Sequence, residues 1–419
     1  MHYFLAVVVL MFGALAQAAD DDRAEQLYEQ YKLAVYRIDV INSGSNKKSS
    51  LGTGFVVAND HILASNFHVV SAAVHDPVNF RLEYQRSDNQ RGELQVIAVD
   101  VVHDLALMRA SDDMGAPFSL TTLPRKGSTL YSMGHPLALD LSIVTGSANG
   151  LLEKALYDKI LFSGNINPGM SGGPAINARG QVVGINVATS GNGVGYLVPA
   201  NYLQKLIANS PLDAQVDTTP DLQQAMGLQL LWNQQQIMDD IMHAPWPKQK
   251  IGKFKVPAEL SSRLDCWGET QNASDKEPYT QISTNCTGQD DIFLSERQRA
   301  GSIAYQYFWL QSDALSARGF YNLYQNQHSS VFLSEANETD VGNFKCSVQF
   351  VRIARQSFKA NVCARPYKRY HGLHDVMVLM AMTGHSDEGL MFTLDISAVT
   401  LDNGLKLLHR FVEQFEWQP

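Results

Sequence analysis

The chain has 419 residues, of which 45% are hydrophobic, with 33 basic and 42 acidic side chains. This length and apolar content can supply two globular domains of ordinary size. The formal net charge of -9 argues against a nucleic-acid-binding protein, which would need a large basic surface. We interpret a small basic cluster, formed by Arg365, Lys368 and Arg369, as a solvated loop.

The first 19 residues predict a cleaved secretory signal peptide. An apolar run from Tyr3 to Leu15 precedes Ala16-Gln17-Ala18, the small-x-small pattern that a signal peptidase accepts. The run is shorter than the roughly 20 residues that cross a bilayer. We expect export to a bacterial periplasm or the exterior, and a mature chain without an integral membrane segment.

A helix is predicted at 24–32, and a candidate catalytic base follows it. Residues 52–57 and 61–70 predict two strands joined by a turn at Asn59-Asp60, with His68 at the end of the second. An imidazole in this position can accept a proton from a nucleophile. His68 is therefore the candidate base.

The next candidate, Asp104, opens the apolar run Leu105-Ala106-Leu107, which predicts a buried strand. A carboxylate there could orient the imidazole of the base. Asp100 is a competing candidate for this role. His103 competes with His68, but neighbouring strand residues point to opposite faces, so His103 and Asp104 should not share one cleft.

Residues 164–174 read Gly-Asn-Ile-Asn-Pro-Gly-Met-Ser-Gly-Gly-Pro. A serine hydroxyl needs a base to become nucleophilic, and acyl transfer needs donors for the oxygen that becomes negative. Ser171 is the candidate nucleophile, and the amides of Gly169 and Ser171 are the candidate oxyanion donors. The alternative is an ordinary glycine-flanked serine in a turn.

Together these segments resemble the trypsin-like serine proteases, most closely those of the HtrA/Deg type. The resemblance rests on four motifs in the family order, G-T-G-F, N-x-H-V, D-L-A-L and N-P-G-x-S-G-G-P, and covers about 30–210. About a dozen short strands are predicted there, separated by Gly, Asn and Pro turns. The resemblance implies an all-β fold of two six-stranded barrels, with the Ser-His-Asp triad between them.

Two parts of this motif set bear on activity and specificity. Met170 stands where HtrA-type proteins usually have asparagine, so the oxyanion turn must be organised by its own backbone or by a neighbouring loop.

The resemblance maps the substrate pocket to a set without acidic side chains: Asn165, Ile166, Gly195, Tyr196 and Leu197. A pocket for Lys or Arg would need a carboxylate, so we expect small or medium apolar residues to be accepted.

The protease domain is predicted at 20–209, closing with a helix at 200–208, and a linker at 210–220 follows it. A second, α+β domain with an antiparallel sheet is predicted at 221–419. Its elements are helices at 222–243 and 402–415 and strands at 302–310, 331–334, 344–353, 358–363, 375–382 and 391–396. The Gly-Leu-Gly-type loop of PDZ domains is not found, and this domain's role stays open among substrate recruitment, restraint of the protease and docking to a partner.

Four cysteines in an exported chain favour two disulfides. A hairpin centred on 353–356 pairs positions whose numbers add up to 709, and 346 plus 363 gives that sum. We therefore predict a Cys346–Cys363 bridge and, by elimination, a Cys266–Cys286 bridge.

The sequence thus predicts an exported serine endopeptidase that acts on proteins or peptides through an acyl-enzyme and needs no metal or other cofactor. The alternative is a protease fold used as a binding or sensing module that stays inactive until a partner binds. Related HtrA-type enzymes are often trimers, but the oligomeric state of this chain is left open.

Overall fold

A computed structural model describes residues 22–191, 193–212, 221–288, 290–327 and 336–418. The predicted signal peptide, most of the predicted linker and the strand predicted at 331–334 lie outside these ranges. The chain divides into two compact units: the first comprises residues up to 152 with 158–222, and the second comprises 153–157 with 223–419.

The first unit begins with a helix at 22–31 (α1), followed by a closed antiparallel barrel with strand order β1-β2-β3-β6-β5-β4. A short helix, α2 (Phe67–His75), follows β3. The strands β1 to β6 span Val35–Asn42, Lys47–Val56, Ile62–Ser65, Phe80–Gln85, Arg91–Asp100 and Leu105–Ala110.

A second closed barrel of the first unit has the order β10-β11-β12-β9-β8-β7. A 3-10 turn at Pro136–Ala138 follows β7, and α3 (Ala200–Ala208) follows β12. The strands β7 to β12 span Thr129–Gly134, Ser142–Leu151, Ile160–Phe162, Pro174–Ile176, Val182–Gly191 and Val194–Pro199. The core of this barrel is formed by Leu130, Ala148, Ile160, Phe162, Ile166, Met170, Ala175, Val183 and Leu197.

The two six-stranded barrels confirm the predicted fold of the first unit. Two local predictions were wrong. His68 lies in the first turn of α2 and not at the end of a strand, because the chain leaves β3 at Ser65 and turns at Asn66. Residues 101–104 form a turn, so the strand argument that separated His103 from Asp104 does not apply.

The second unit is built on a seven-stranded antiparallel sheet with the order β15-β16-β19-β23-β22-β21-β20. Its strands span Asp265–Gln271 (β15), Thr280–Thr287 (β16), Ile303–Gln311 (β19), Lys345–Ile353 (β20), Gln356–Pro366 (β21), Leu373–Thr383 (β22) and Glu388–Thr400 (β23). Its helices are α4 (Leu222–His243), α5 (Ala317–Asn326) and α6 (Leu401–Glu413). Smaller pairings involve β13 (Lys248–Ile251), β14 (Phe254–Pro257), β17 (Ile292–Ser295), β18 (Gln298–Ala300) and β24 (Glu416–Trp417).

The two faces of this sheet are covered by different helices. On one face Phe411 of α6 packs against Tyr307 and Phe392, with ring centroids 5.8 Å apart in each pair. On the other face Phe320 and Tyr324 of α5 join a small apolar cluster with buried residues of three strands. Because strand side chains alternate, the neighbours of Tyr307 and Phe392 in sequence point away from α6.

The sheet carries both cysteine pairs in the predicted connectivity. Cys346 and Cys363 are register partners of β20 and β21, and Cys266 and Cys286 are register partners of β15 and β16. Within the described ranges, no helix combines the length and the apolar character that a membrane span requires.

Candidate active site

His68 and Asp104 lie together in the first barrel. The Nδ1 atom of His68 is 2.6 Å from Oδ2 of Asp104, and the His68 backbone amide donates to Oδ1 of the same carboxylate at 2.8 Å. Two hydrogen bonds to one carboxylate fix both the ring and the backbone of the histidine. With Nδ1 bound to Asp104, Nε2 is the ring nitrogen that could take a proton from a nucleophile.

A tight turn before β6 places Asp104. The residue has φ +56, a left-handed conformation that costs energy for a residue with a Cβ. Its carbonyl accepts hydrogen bonds from the Asn66 side chain at 2.8 Å and from the Phe67 amide at 3.2 Å. The strained turn is therefore held from the start of α2, the helix that carries His68.

The competing candidates form a separate pair. Oδ2 of Asp100 lies 2.7 Å from Nδ1 of His103, and the His103 ring stacks on Tyr202 with centroids 3.6 Å apart. Asp100 is therefore the partner of His103, while Asp104 is the partner of His68.

Ser171 lies in the turn that precedes β10. Its hydroxyl donates to the carbonyl of Val187 at 3.3 Å, and its own carbonyl accepts from the Thr53 amide at 2.8 Å. The next residue, Gly172, has φ +85, and a Cβ there would lie 2.1 Å from Ser65 Oγ and 2.2 Å from the Thr53 carbonyl. Glycine is thus required next to the candidate nucleophile.

The residues before Ser171 form a type II turn. The Met170 amide donates to the Asn167 carbonyl at 3.0 Å, with Pro168 and then Gly169 (φ +95) at the central positions. The Pro168 carbonyl accepts from the Leu137 amide at 2.7 Å. Because a trans peptide points its N–H opposite to its C=O, this bond fixes the direction of the Gly169 amide.

The amides of Gly169 and Ser171 remain free to bind an anion. Neither donates a hydrogen bond to any residue that the structure describes. The carbonyl of Met170, which belongs to the same peptide unit as the Ser171 amide, accepts from Gly173 N at 3.0 Å and from Asn186 Nδ2 at 3.2 Å. Both candidate oxyanion donors therefore belong to peptide units whose carbonyls are engaged on the opposite side.

Thr53 was not recognised as a site residue from the sequence, yet it supports the turn that carries Ser171. Its hydroxyl donates to the Gly169 carbonyl at 2.7 Å and accepts from the His135 amide at 3.0 Å. Its backbone amide binds the Ser171 carbonyl, and its carbonyl accepts from Ser65 Oγ at 2.7 Å. The threonine of the G-T-G-F motif is a sequence signal that could have indicated a role for this position.

Asn186 supports the same turn from behind. Its fully buried side chain accepts from Ser132 Oγ at 2.8 Å and donates to the carbonyls of Met133 and Met170. The side-chain nitrogen thus holds two backbone carbonyls, and the side-chain oxygen is bound by the Ser132 hydroxyl. Met170 itself is fully buried in the core of the second barrel, which accounts for an apolar side chain at this position.

The predicted pocket residues divide into two groups. Ile166 and Leu197 are 3% and 0% exposed and belong to the core of the second barrel, so they do not offer free apolar side chains to a substrate. A Cβ on Gly195 would lie 2.7 Å from Ile166, which shows how closely the two residues pack. The other predicted lining residues, Asn165, Gly195 and Tyr196, do not belong to this core cluster.

His135, in the loop beside the turn that carries Ser171, is buried, and its Nδ1 has no hydrogen-bond partner among the described residues. Burial, helped by the nearby positive charge of Arg37, lowers the pKa of His135 to about 4. The carbonyl of His135 would lie 2.3 Å from a Cβ on Gly169, so the loop and the turn are in direct contact. The imidazole is therefore a neutral packing residue at neutral pH.

Residues 52–185 match the family model of the trypsin-like peptidase domain. This stretch contains His68, Asp104 and Ser171. The chain contains a trypsin-like serine protease domain.

Curated relatives of this protease domain are of the HtrA type. "Serine protease HTRA1" of Xenopus laevis is 31% identical over 170 residues, covering 38% of this chain and 36% of that protein. "Putative serine protease HhoA" of Synechocystis is 32% identical over 162 residues, covering 35% and 40%. "Probable periplasmic serine endoprotease DegP-like" of Chlamydia trachomatis is 29% identical over 177 residues, covering 39% and 34%. The chain thus spans well under half the length of these relatives.

Proposed function

We propose that this protein is an exported serine endopeptidase that hydrolyses peptide bonds of proteins. The observation that carries the proposal is the geometry within the first unit: a histidine held by a carboxylate, and a serine whose turn contains two amides that donate to no residue the structure describes. Acyl transfer by a serine hydrolase uses a nucleophile, a base, an orienting carboxylate and oxyanion donors, and the first unit contains a candidate for each.

In the proposed mechanism Ser171 attacks the scissile carbonyl while Nε2 of His68 removes its proton. The imidazolium that forms is stabilised by Asp104, whose carboxylate contacts Nδ1 at 2.6 Å. His68 then donates the proton to the leaving amine, which leaves Ser171 acylated. In the second half of the reaction His68 takes a proton from water, the water oxygen attacks the acyl-enzyme, and His68 returns the proton to Ser171.

The oxyanion of each tetrahedral intermediate would bind to the amides of Gly169 and Ser171. Support for this role comes from the type II turn, in which the Leu137–Pro168 and Thr53–Gly169 hydrogen bonds hold the turn in one conformation. Donors that are already oriented stabilise developing charge without reorganisation at the moment of reaction.

For specificity we propose a preference for small or medium apolar residues before the scissile bond. No acidic side chain occurs among the proposed lining residues, and an unpaired Lys or Arg side chain would be costly to bury there. The inward packing of Ile166 and Leu197 keeps the available apolar surface small, which favours short side chains.

A specific observation favours the second candidate function, a protease fold that stays inactive until a substrate or partner binds. A serine hydroxyl has one proton, and that of Ser171 is donated to Val187, not to His68. In this second proposal a substrate or partner must turn the hydroxyl toward His68 before reaction.

Digestion of an unfolded protein substrate, followed by mass spectrometry of the products, tests the proposal. We expect cleavage after Ala, Val and similar residues by the wild type, and none by Ser171→Ala. Cleavage after Lys or Arg would contradict the proposed pocket. Cleavage that persists in Ser171→Ala would contradict the proposed mechanism.

Export is proposed on the N-terminal pattern together with the two disulfides, which persist in oxidising compartments. The likeness to a protein named periplasmic endoprotease agrees with an envelope location. Fractionation of cells, with a cytoplasmic marker as control, tests this part; a reduced cytoplasmic chain would contradict it.

A further inference from the structure

The second unit contains a cavity of about 540 Å³ that has no assigned role. Most of its lining residues belong to the sheet face opposite α6. Gln306 and Thr393, for example, alternate with residues that face that helix. A cavity of this volume suits a small molecule or one side chain of a larger ligand.

A row of neutral polar side chains crosses this face. Asn285 is the register partner of Gln306, and Gln306 is the register partner of Thr393. None of these three side chains makes a hydrogen bond within the described residues. The row therefore offers oxygen acceptors to a ligand.

Asp395 lies on the same face, two residues after Thr393 on β23. Its carboxylate makes no hydrogen bond or ion pair within the part of the chain that the structure describes. Burial raises the pKa of Asp395 to about 7, in keeping with a carboxyl that has no cation beside it among the described residues.

The other charged side chains of the cavity neutralise each other. Arg365 Nε contacts Asp375 Oδ2 at 2.8 Å, the guanidinium stacks on Phe344 at 4.7 Å, and the Tyr367 hydroxyl donates to the other Asp375 oxygen at 2.7 Å. Among the described residues, Asp395 is thus the one acidic side chain of the lining without a cationic partner.

We propose that this cavity binds an alkylammonium group, with Asp395 as its counter-ion and the Asn285–Gln306–Thr393 row supplying neutral acceptors. An ammonium has three donors around one charge, which fits a single carboxylate flanked by neutral oxygens. A guanidinium would need a coplanar pair of acceptors. An alkylammonium group occurs both in free polyamines and in the lysine side chains of polypeptides.

Calorimetric titration of the full-length mature protein tests the proposal with two probes. 1,5-Diaminopentane represents a free amine, and Nα-acetyl-lysinamide represents a lysine side chain. Binding of the diamine alone identifies a polyamine-type ligand, and binding of the lysinamide identifies a polypeptide-type ligand; either supports the site. 1,5-Pentanediol, which lacks the charge, should not bind.

Asp395→Asn keeps the size of the side chain and removes its charge. We expect it to weaken binding by about ten- to hundredfold, since a charge-assisted hydrogen bond is lost. Asp387→Asn, an exposed carboxylate before the same strand, is the matched control and should bind as the wild type does. Binding by neither probe, equal binding by Asp395→Asn, or tighter binding of Nα-acetyl-argininamide would overturn the proposal.

A second measurement uses the wild type alone. Nuclear magnetic resonance titration of the Asp395 carboxyl carbon should give a pKa near 7 that falls when diamine is added, because a bound cation favours the ionised form. Affinity should accordingly decrease below pH 7, with Asp375 and Arg365 as the other charged groups facing the cavity. A carboxyl pKa unaffected by the diamine would contradict the assignment.

Discussion

Thr53 Oγ1 donates a 2.7 Å hydrogen bond to the carbonyl of Gly169, a residue 116 positions later in the chain. The same hydroxyl accepts the His135 amide. One side chain of the first barrel thus holds both the turn that carries Ser171 and the neighbouring loop in the second barrel.

Thr53→Val keeps the shape of this side chain and removes the hydroxyl. We expect a loss of about 1–3 kcal/mol in unfolding free energy, because two buried backbone groups lose their partner. We also expect a roughly 10- to 100-fold lower hydrolysis rate, since the Gly169 peptide is no longer held. Thr53→Ser retains the hydroxyl and should recover most of the rate; equal loss in both variants would contradict the proposed hydrogen-bond role.

Asp104→Asn tests the assignment of the orienting carboxylate. The amide cannot stabilise the imidazolium of His68, so we expect a rate decrease of roughly 10⁴-fold with little change in thermal unfolding. Asp100→Asn is the matched control, because Asp100 contacts His103 instead. A larger loss in Asp100→Asn than in Asp104→Asn would reverse the assignment.

Met170→Ala tests the packing of the residue before the nucleophile. Its buried side chain belongs to the core of the second barrel, so truncation should cost about 2–5 kcal/mol in denaturant unfolding. Met170→Leu preserves the volume and should cost less than about 1.5 kcal/mol. If the two variants were equally stable, the side chain would not be a packing element.

His135 gives the protein a pH-dependent stability. Its folded-state pKa of about 4 lies below the unfolded value near 6.5, so the unfolded chain binds the proton first as the pH falls. We expect about 2–3 kcal/mol of stability to be lost between pH 6.5 and pH 4. His135→Gln should reduce this slope in pH-dependent unfolding; an unchanged slope would assign it to other groups.

Asp395 has the opposite effect on how the stability of the fold depends on pH. Its folded-state pKa of about 7 lies above the ordinary value near 3.9, so the folded state loses stability as the pH rises from about 4 to 7. Asp395→Asn should therefore be more stable than the wild type at pH 8, by about 1–4 kcal/mol. Equal stability at pH 8 would show that the carboxyl is not buried.

Many features of the protease unit could be predicted because each of its motifs consists of residues that are neighbours in the sequence. The strand that begins at Leu105 and the turn before Ser171 follow from residues next to each other in sequence. The supporting contacts could not be predicted, because Thr53 and Asn186 meet the turn only in the folded barrels.

In the second unit, strong alternation predicted β19 to β23, whereas β16 and the edge strand β15 were missed. The polar sequence of β15, Asp-Cys-Trp-Gly-Glu-Thr-Gln, is paired at an edge of the sheet and shows no apolar period. α5 was missed because Phe320 and Tyr324 are its only buried residues. The hairpin of Cys346 and Cys363 was predicted because its register follows from the position of its turn.

Reaction of the purified mature protein with a fluorophosphonate probe, followed by peptide mapping, tests most directly whether Ser171 is an activated nucleophile. We expect one modified residue, Ser171, with labelling lost in Ser171→Ala and strongly reduced in Asp104→Asn. Absence of labelling in the wild type, with and without protein substrate, would contradict this role of Ser171.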